Sequence, residues 1–192
     1  MINILSRNQK QQFVSKPHLF IVMGVSGSGK TVISERLAND LNTQGNYEFL
    51  DADDFHSDQA IERMAANLPL NDSMRKPWVE AIMNKLIELY KQNKCVVLAF
   101  SGLKYQHRKC FRTLDFKSHF YYLSTDINTI RNRMLKRENH FFRAELLASQ
   151  FSAMEEERSD EKDMTKVDVS GTLDEVYQQV YTLVQQELSK EL

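Results

Sequence analysis

The chain has 192 residues, with 25 lysines and arginines against 26 aspartates and glutamates, for a formal net charge of −1. That length suits one domain, or one domain with an inserted lid, and is enough to bury a core. The balanced charge offers no basic field for nucleic acid or an anionic membrane surface, and no apolar run reaches the length of a membrane span. The two cysteines, Cys95 and Cys110, lack metal-ligand spacing and read as packing residues of a reduced, cytoplasmic protein.

In chain order, residues 1–17 are polar, lack the apolar core of a signal peptide and are expected to be a flexible extension before a single domain over 18–192. The apolar run at 19–23 then leads into Gly24-Val25-Ser26-Gly27-Ser28-Gly29-Lys30-Thr31. This is G-x-x-x-x-G-K-T, the phosphate-binding P-loop, and a helical pattern at 31–43 follows it. Strand, glycine-rich loop and helix in that order give the motif its structural context. Backbone N–H groups of such a loop wrap a phosphate chain, and the helix N-terminus adds partial positive charge. Lys30 is expected to reach the β- and γ-phosphates of ATP and act in catalysis, with the Thr31 hydroxyl on Mg²⁺.

The next strand, 47–50, ends in Asp51-Ala52-Asp53-Asp54. Acids at the carboxyl end of a strand beside a P-loop can orient Mg²⁺ or accept the proton of an attacking hydroxyl. Asp53 is expected to be the base, with Asp51 as its support and as a second metal ligand. A period of two points both the same way if the strand continues. The alternative for these acids is to cap the helix at 58–66. His56 reads equally well as a substrate ligand or a cap.

Residues 67–78 mix turn formers with groups suited to a polyol. Asp72 can accept from hydroxyls, and Arg75 can fork onto a carboxylate. Pro77 is expected in the first turn of a helix at 75–92, with Trp78, Ile82, Leu86 and Leu89 in the core. After a strand at 96–100, Ser101 sits beside the P-loop. Lys104 and Arg108, one turn apart in a helix at 104–113, share a face suited to an anionic substrate. A strand at 120–123 precedes a helical region, 127–157, expected to be a lid. Ile127, Ile130 and Met134 face inward there, while Arg133 and Arg137 share a polar face and are expected to meet the transferring phosphoryl group on closure. His140 is a candidate substrate ligand at the hinge or lid tip. The charge-dense stretch 155–162 reads as a solvated helix end or loop. A weak strand at 166–169 and an amphipathic helix at 172–189, with a Thr172–Glu175 capping box, complete the chain. Alternating strands and helices predict an α/β fold in three layers around a parallel five-stranded sheet, with the ligand at the carboxyl ends of the strands.

Taken together, these blocks resemble the gluconate kinase family of small P-loop kinases. The resemblance runs from about Phe20 to Val176. It rests on Gly24–Thr31, on Asp51-Ala52-Asp53 with His56, and on Pro69-Leu70-Asn71-Asp72 with Arg75-Lys76-Pro77-Trp78. It rests further on Ser101-Gly102-Leu103-Lys104 with Arg108, and on His140-Phe141-Phe142 through Ser149-Gln150-Phe151. It implies a nucleoside-monophosphate-kinase-like fold, usually as a homodimer, that phosphorylates D-gluconate to 6-phosphogluconate with ATP. The chain departs from the family's pattern at Ala52, Met74, Gly102 and His107. The alternatives are a kinase for another small acceptor, such as another aldonic acid, shikimate or a nucleoside monophosphate, and a nucleotide-binding module of low turnover. An acid cluster, a basic pair and lid arginines together favour an enzyme, because a mere binder does not need all three.

Overall fold

The computed structural model describes residues 16–43, 45–66, 68–135 and 144–190, with backbone alone for 144–146. The expected extension 1–17 therefore lies almost wholly outside the described residues. Five strands, β1 (His18–Met23), β2 (Tyr47–Asp51), β3 (Cys95–Phe100), β4 (Lys117–Ser124) and β5 (Met164–Asp168), form one sheet. Its order is β2-β3-β1-β4-β5, and every neighbouring pair is parallel. Leu19 through Met23 and Val96 through Phe100 are buried on both faces, which is why they read as unbroken apolar runs.

Alternation along β1 divides the core into two layers. Leu19, Ile21 and Met23 join Trp78, Ile82 and Leu86 of helix α3 (Asp72–Lys91) and Phe111 of α4 (Tyr105–Phe111). Phe20 and Val22 join Ile33 and Leu37 of α1 (Lys30–Asn42) and Val176 and Val180 of α7 (Leu173–Ser189). The result is the expected three-layer α/β arrangement. The capping box forms as read: Thr172 Oγ1 accepts the Glu175 N–H, and the Glu175 carboxylate accepts the Thr172 N–H.

Two helix expectations are corrected. The helix expected from 75 begins at Asp72, because Asn71 Oδ1 accepts the Met74 N–H at 3.0 Å and the Ser73 hydroxyl at 2.7 Å. Pro77 therefore lies beyond the first turn. The helical region expected over 127–157 contains α5 (Ile127–Leu135) and α6 (Ala144–Ala153), and the chain is irregular from Met154 to the turn before β5. The stretch read as solvated contains Glu161, which is only 1 % exposed. Helix α2 (Asp58–Ala65) lies between β2 and α3 in sequence and forms part of the site.

Candidate active site

The P-loop spans the gap between β1 and α1. Gly29 caps α1 at φ +100° with no side-chain cap, so the first-turn N–H groups remain available to an anion. Gly24, at φ +152°, has no room for a Cβ: one would lie 2.8 Å from the Leu123 carbonyl and 2.9 Å from Ser28 Oγ. The Gly24 N–H donates to the Ser101 carbonyl at 3.2 Å, joining the loop to the end of β3. Lys30 Nζ donates back to the Val25 carbonyl at 3.2 Å.

Strand β2 stops at Asp51, and the chain turns into a short 3-10 segment, Ala52–Phe55. Asp51 and Asp53 consequently do not share a strand face. Asp51 Oδ1 accepts the Asp53 N–H at 3.0 Å, and its Oδ2 accepts the Thr31 hydroxyl at 2.7 Å. The two expected metal ligands are thus in contact. Mg²⁺ takes hard oxygen donors, usually one or two from protein and the rest from phosphate and water, and this hydroxyl–carboxylate pair fits that pattern. Among the described residues no group of three or more His, Cys, Asp or Glu could build an all-protein cage. Ser57, accepting the Ala60 N–H at 3.3 Å, caps α2, so neither Asp53 nor Asp54 does. The Asp53 side chain is 73 % exposed and borders a cavity.

That cavity, of about 340 Å³, joins Ser26 and Lys30 of the P-loop to Asp53, His56, Arg75 and Ser101. Ile61, Met64, Trp78 and Leu103 supply apolar wall. Trp78 is a core residue as expected, but it also builds the site. Its Nε1 donates to the Ala52 carbonyl at 2.6 Å, one face lies 5.1 Å from the Phe100 ring, and the His56 ring stacks at 4.5 Å. His56 does not cap α2. Burial lowers its pKa, Asp53 opposes that shift, and Arg75 adds to it, leaving the imidazole neutral at neutral pH. His56 Nδ1 is buried without a hydrogen-bond partner among the described residues, and its Nε2 lies 3.9 Å from Asp53.

Asp72 Oδ1 gathers two cations, Lys104 Nζ at 2.5 Å and Arg75 Nη1 at 3.1 Å. The Lys104 hydrogen bond, with Arg75 behind it, lowers the Asp72 pKa. Nearby His107 is shifted down by burial first, then by the charges of Arg75 and Lys104.

Arg108 is a correction. It is fully buried and reaches away from the cavity, donating through Nε and Nη2 to the two Glu161 oxygens at 2.7 Å each. Its Nη1 donates to the Gly102 carbonyl at 2.9 Å. It shapes the loop that lines the site and is not exposed to a substrate. Lys104 is the N-cap of α4 with extended backbone, φ −102° and ψ 134°, so helical spacing does not place its side chain beside that of Arg108. Gly102 itself stands at φ +64°, and a Cβ there would lie 2.8 Å from Met23.

Arg133 is not brought to the P-loop. Its guanidinium donates to the carbonyls of Val169 and Gly171, in the connection from β5 to α7. Its neighbours Ile130 and Met134 do pack on the loop, 3.2 and 3.0 Å from where a Cβ of Gly27 would be. Arg137 and His140 lie outside the described residues. Sequence reasoning missed Ser149, Gln150 and Ala153 of α6, and Ile61 and Met64 of α2, all of which line the cavity. The signal for the first two was the Ser149-Gln150-Phe151 block, quoted above for the resemblance but given no role.

A parallel α/β sheet carrying a P-loop, with a carboxylate at the next strand end and a cavity bordered by both, defines a P-loop kinase of small molecules. The family model AAA_33, described as an AAA domain, matches residues 19–161. Over 160 residues the chain is 39 % identical to the thermosensitive gluconokinase of Escherichia coli (strain K12), covering 83 % of each protein. It is 36 % identical to the thermoresistant gluconokinase of the same organism, covering 83 % of this chain and 89 % of that one. The crystal structure of a gluconokinase from Sinorhizobium meliloti 1021 superposes with a TM-score of 0.79 at 29 % identity, over 92 % of this chain and 98 % of that one. The chain belongs to the gluconokinase family.

Proposed function

We propose that this protein is a gluconokinase that moves the γ-phosphoryl group of ATP onto a hydroxyl of D-gluconate. The observation that carries the reading is one cavity bordered by P-loop residues Ser26 and Lys30, the carboxylate of Asp53 and the guanidinium of Arg75. Phosphoryl transfer depends mainly on positioning and on charge at the developing oxygens. The loop amides and Lys30 hold the nucleotide phosphates. Asp53 accepts the proton of the attacking hydroxyl and holds it in line. Arg75 and Lys104, gathered by Asp72, face the sugar-acid carboxylate. Thr31 and Asp51 would hold Mg²⁺, which when bound screens charge on the phosphates. Family membership supports a homodimer working in the cytoplasm, and among the described residues no helix is long and apolar enough to cross a membrane.

The test is ADP release, coupled to a spectroscopic readout, over a panel of aldonic acids, neutral sugars, shikimate and nucleoside monophosphates. Gluconate is expected to give the highest kcat/KM. A better nucleoside monophosphate would replace this reading with the nucleotide-acceptor one.

Two substitutions divide the roles. Asp53→Asn keeps the shape but cannot take a proton, so kcat is expected to fall roughly a hundredfold or more with ATP binding retained. A nearly silent Asp53→Asn beside a severe Asp51→Asn would reverse the two assignments. Arg75→Ala and Lys104→Ala are expected to raise KM for gluconate about tenfold, a loss near 1.4 kcal/mol, without moving KM for ATP. A neutral sugar phosphorylated as efficiently as gluconate would rule out carboxylate recognition.

A further inference from the structure

One P-loop donor is already occupied from a distance. The Ser26 N–H donates to Gln150 Oε1 at 2.6 Å, a contact between residues 124 apart in sequence. Gln150 belongs to α6, whose Leu147, one turn earlier, is 2 % exposed and packs with Val25, Leu103 and Ile130. Positions three apart share a helix face, so the apolar anchor that seats α6 beside the loop also presents Gln150 to it. Gln150 borders the same cavity as Lys30, Asp53 and Arg75. A glutamine carbonyl is an uncharged acceptor, and it holds an amide of the kind that such loops offer to phosphate oxygens. A carboxamide held by its oxygen still carries two N–H donors.

We infer that Gln150 is a positioning residue shared by the two substrates. Its oxygen accepts the Ser26 N–H. When the terminal phosphate of the nucleotide takes that amide, the carboxamide turns to a hydroxyl of the acceptor. Filling the loop therefore readies the acceptor side, and no such role is available to an apolar residue at this position. The inference rests on the kinase reading above for the acceptor half only.

Gln150→Ala, Gln150→Glu and the wild type separate the possibilities. Binding of ATP and of ADP, each with Mg²⁺ and without acceptor, is measured by titration calorimetry, and KM and kcat for gluconate by ADP release. Gln150→Ala removes a competitor for the amide, so ATP is expected to bind at least as tightly as in the wild type. KM for gluconate should rise about tenfold with the lost hydrogen bond. Gln150→Glu, of the same shape, sets a carboxylate beside the terminal phosphate and is expected to weaken ATP several-fold more than ADP. A residue that merely braces the loop would give the opposite pattern: weaker ATP and ADP binding to the same degree in both variants, and an unchanged gluconate KM. That result overturns the inference. The nucleotide arms need no acceptor, so a wild type that ignores gluconate would overturn the gluconokinase reading while leaving the Ser26–Gln150 competition to be decided by ATP against ADP.

Discussion

Lys30→Met is expected to lower kcat by about a thousandfold while the protein remains folded. Methionine matches the apolar stem of the lysine and lacks the terminal ammonium, with its charge and N–H donors. Lys30 is the first residue of α1, directly after the Gly29 cap, where unsatisfied N–H groups already favour an anion. Its Nζ rests on the Val25 carbonyl, within the loop itself. On the proposed mechanism its charge meets the negative charge that develops on the transferring group, and a transition-state interaction of this kind appears in kcat rather than in substrate affinity. The measurement is steady-state kinetics beside a thermal melt. A Lys30→Met protein with the wild-type melt and wild-type kcat would take the P-loop lysine out of the chemistry.

How much of this was legible depended on the distance over which each residue's environment is set. β1 and β3 are central strands buried on both faces, and their apolar runs identify them without further help. Edge strand β5 buries only Met164 and Val167 of its five residues and is otherwise polar, so its signal was weak and its expected start fell late. The first half of β4, Lys117-Ser118-His119, carries no apolar signal at all and is a strand because it pairs with His18, Leu19 and Phe20 of β1. The phosphate loop was legible because its function requires a local backbone shape that glycine permits. The acid after β2 was also legible, but the separate placement of Asp51 and Asp53 was not a matter of strand periodicity. It follows from the 3-10 turn at Ala52, which leaves Asp51 on Thr31 and sends Asp53 to the cavity. The contacts of Gln150 and Glu161 were illegible for one reason: their partners lie 124 and 53 residues away, and neither spacing nor composition reports a contact of that kind.

The buried Arg108–Glu161 pair is where that long-range contact carries the largest structural consequence. Arg108 is 0 % and Glu161 1 % exposed, and the contact is a two-pronged fork. Arg112 Nη1 adds a bond to Glu161 Oε1 at 2.8 Å, and the Arg158 N–H adds one to Oε2 at 3.1 Å. Burial opposes the Glu161 charge, but the Arg108 hydrogen bond, the Arg158 N–H and Arg112 outweigh it and bring its pKa down to about 2. Removing Glu161 strands the Arg108 charge in the core, and removing Arg108 leaves the buried Glu161 charge with Arg112 and the Arg158 N–H alone. Arg108→Met and Glu161→Gln are therefore each expected to cost about 3–5 kcal/mol in denaturant unfolding at neutral pH. Replacing both, Arg108→Met with Glu161→Gln, should cost less than the two single changes added together, because neither member of the pair is left charged. The acid dependence has a definite sign. A carboxyl held near 2 when folded, against 4.5 ordinarily, contributes its full stability above about pH 4.5 and loses it as pH falls toward 2. The wild type's advantage over Glu161→Gln should thus be constant from pH 7 to about 5 and shrink below that. The consequence reaches the site, because Arg108 also holds the carbonyls of Gly102 at 2.9 Å and Glu155 at 3.3 Å. Those bonds join the loop after β3, whose Ser101 and Leu103 line the cavity, to the chain just past α6, which carries Gln150. Arg108→Met should accordingly raise KM for gluconate in whatever fraction stays folded, even though Arg108 never meets the substrate. Single variants that lose under 1 kcal/mol, or a double variant that loses the full sum, would show that the pair is not the strut this geometry describes.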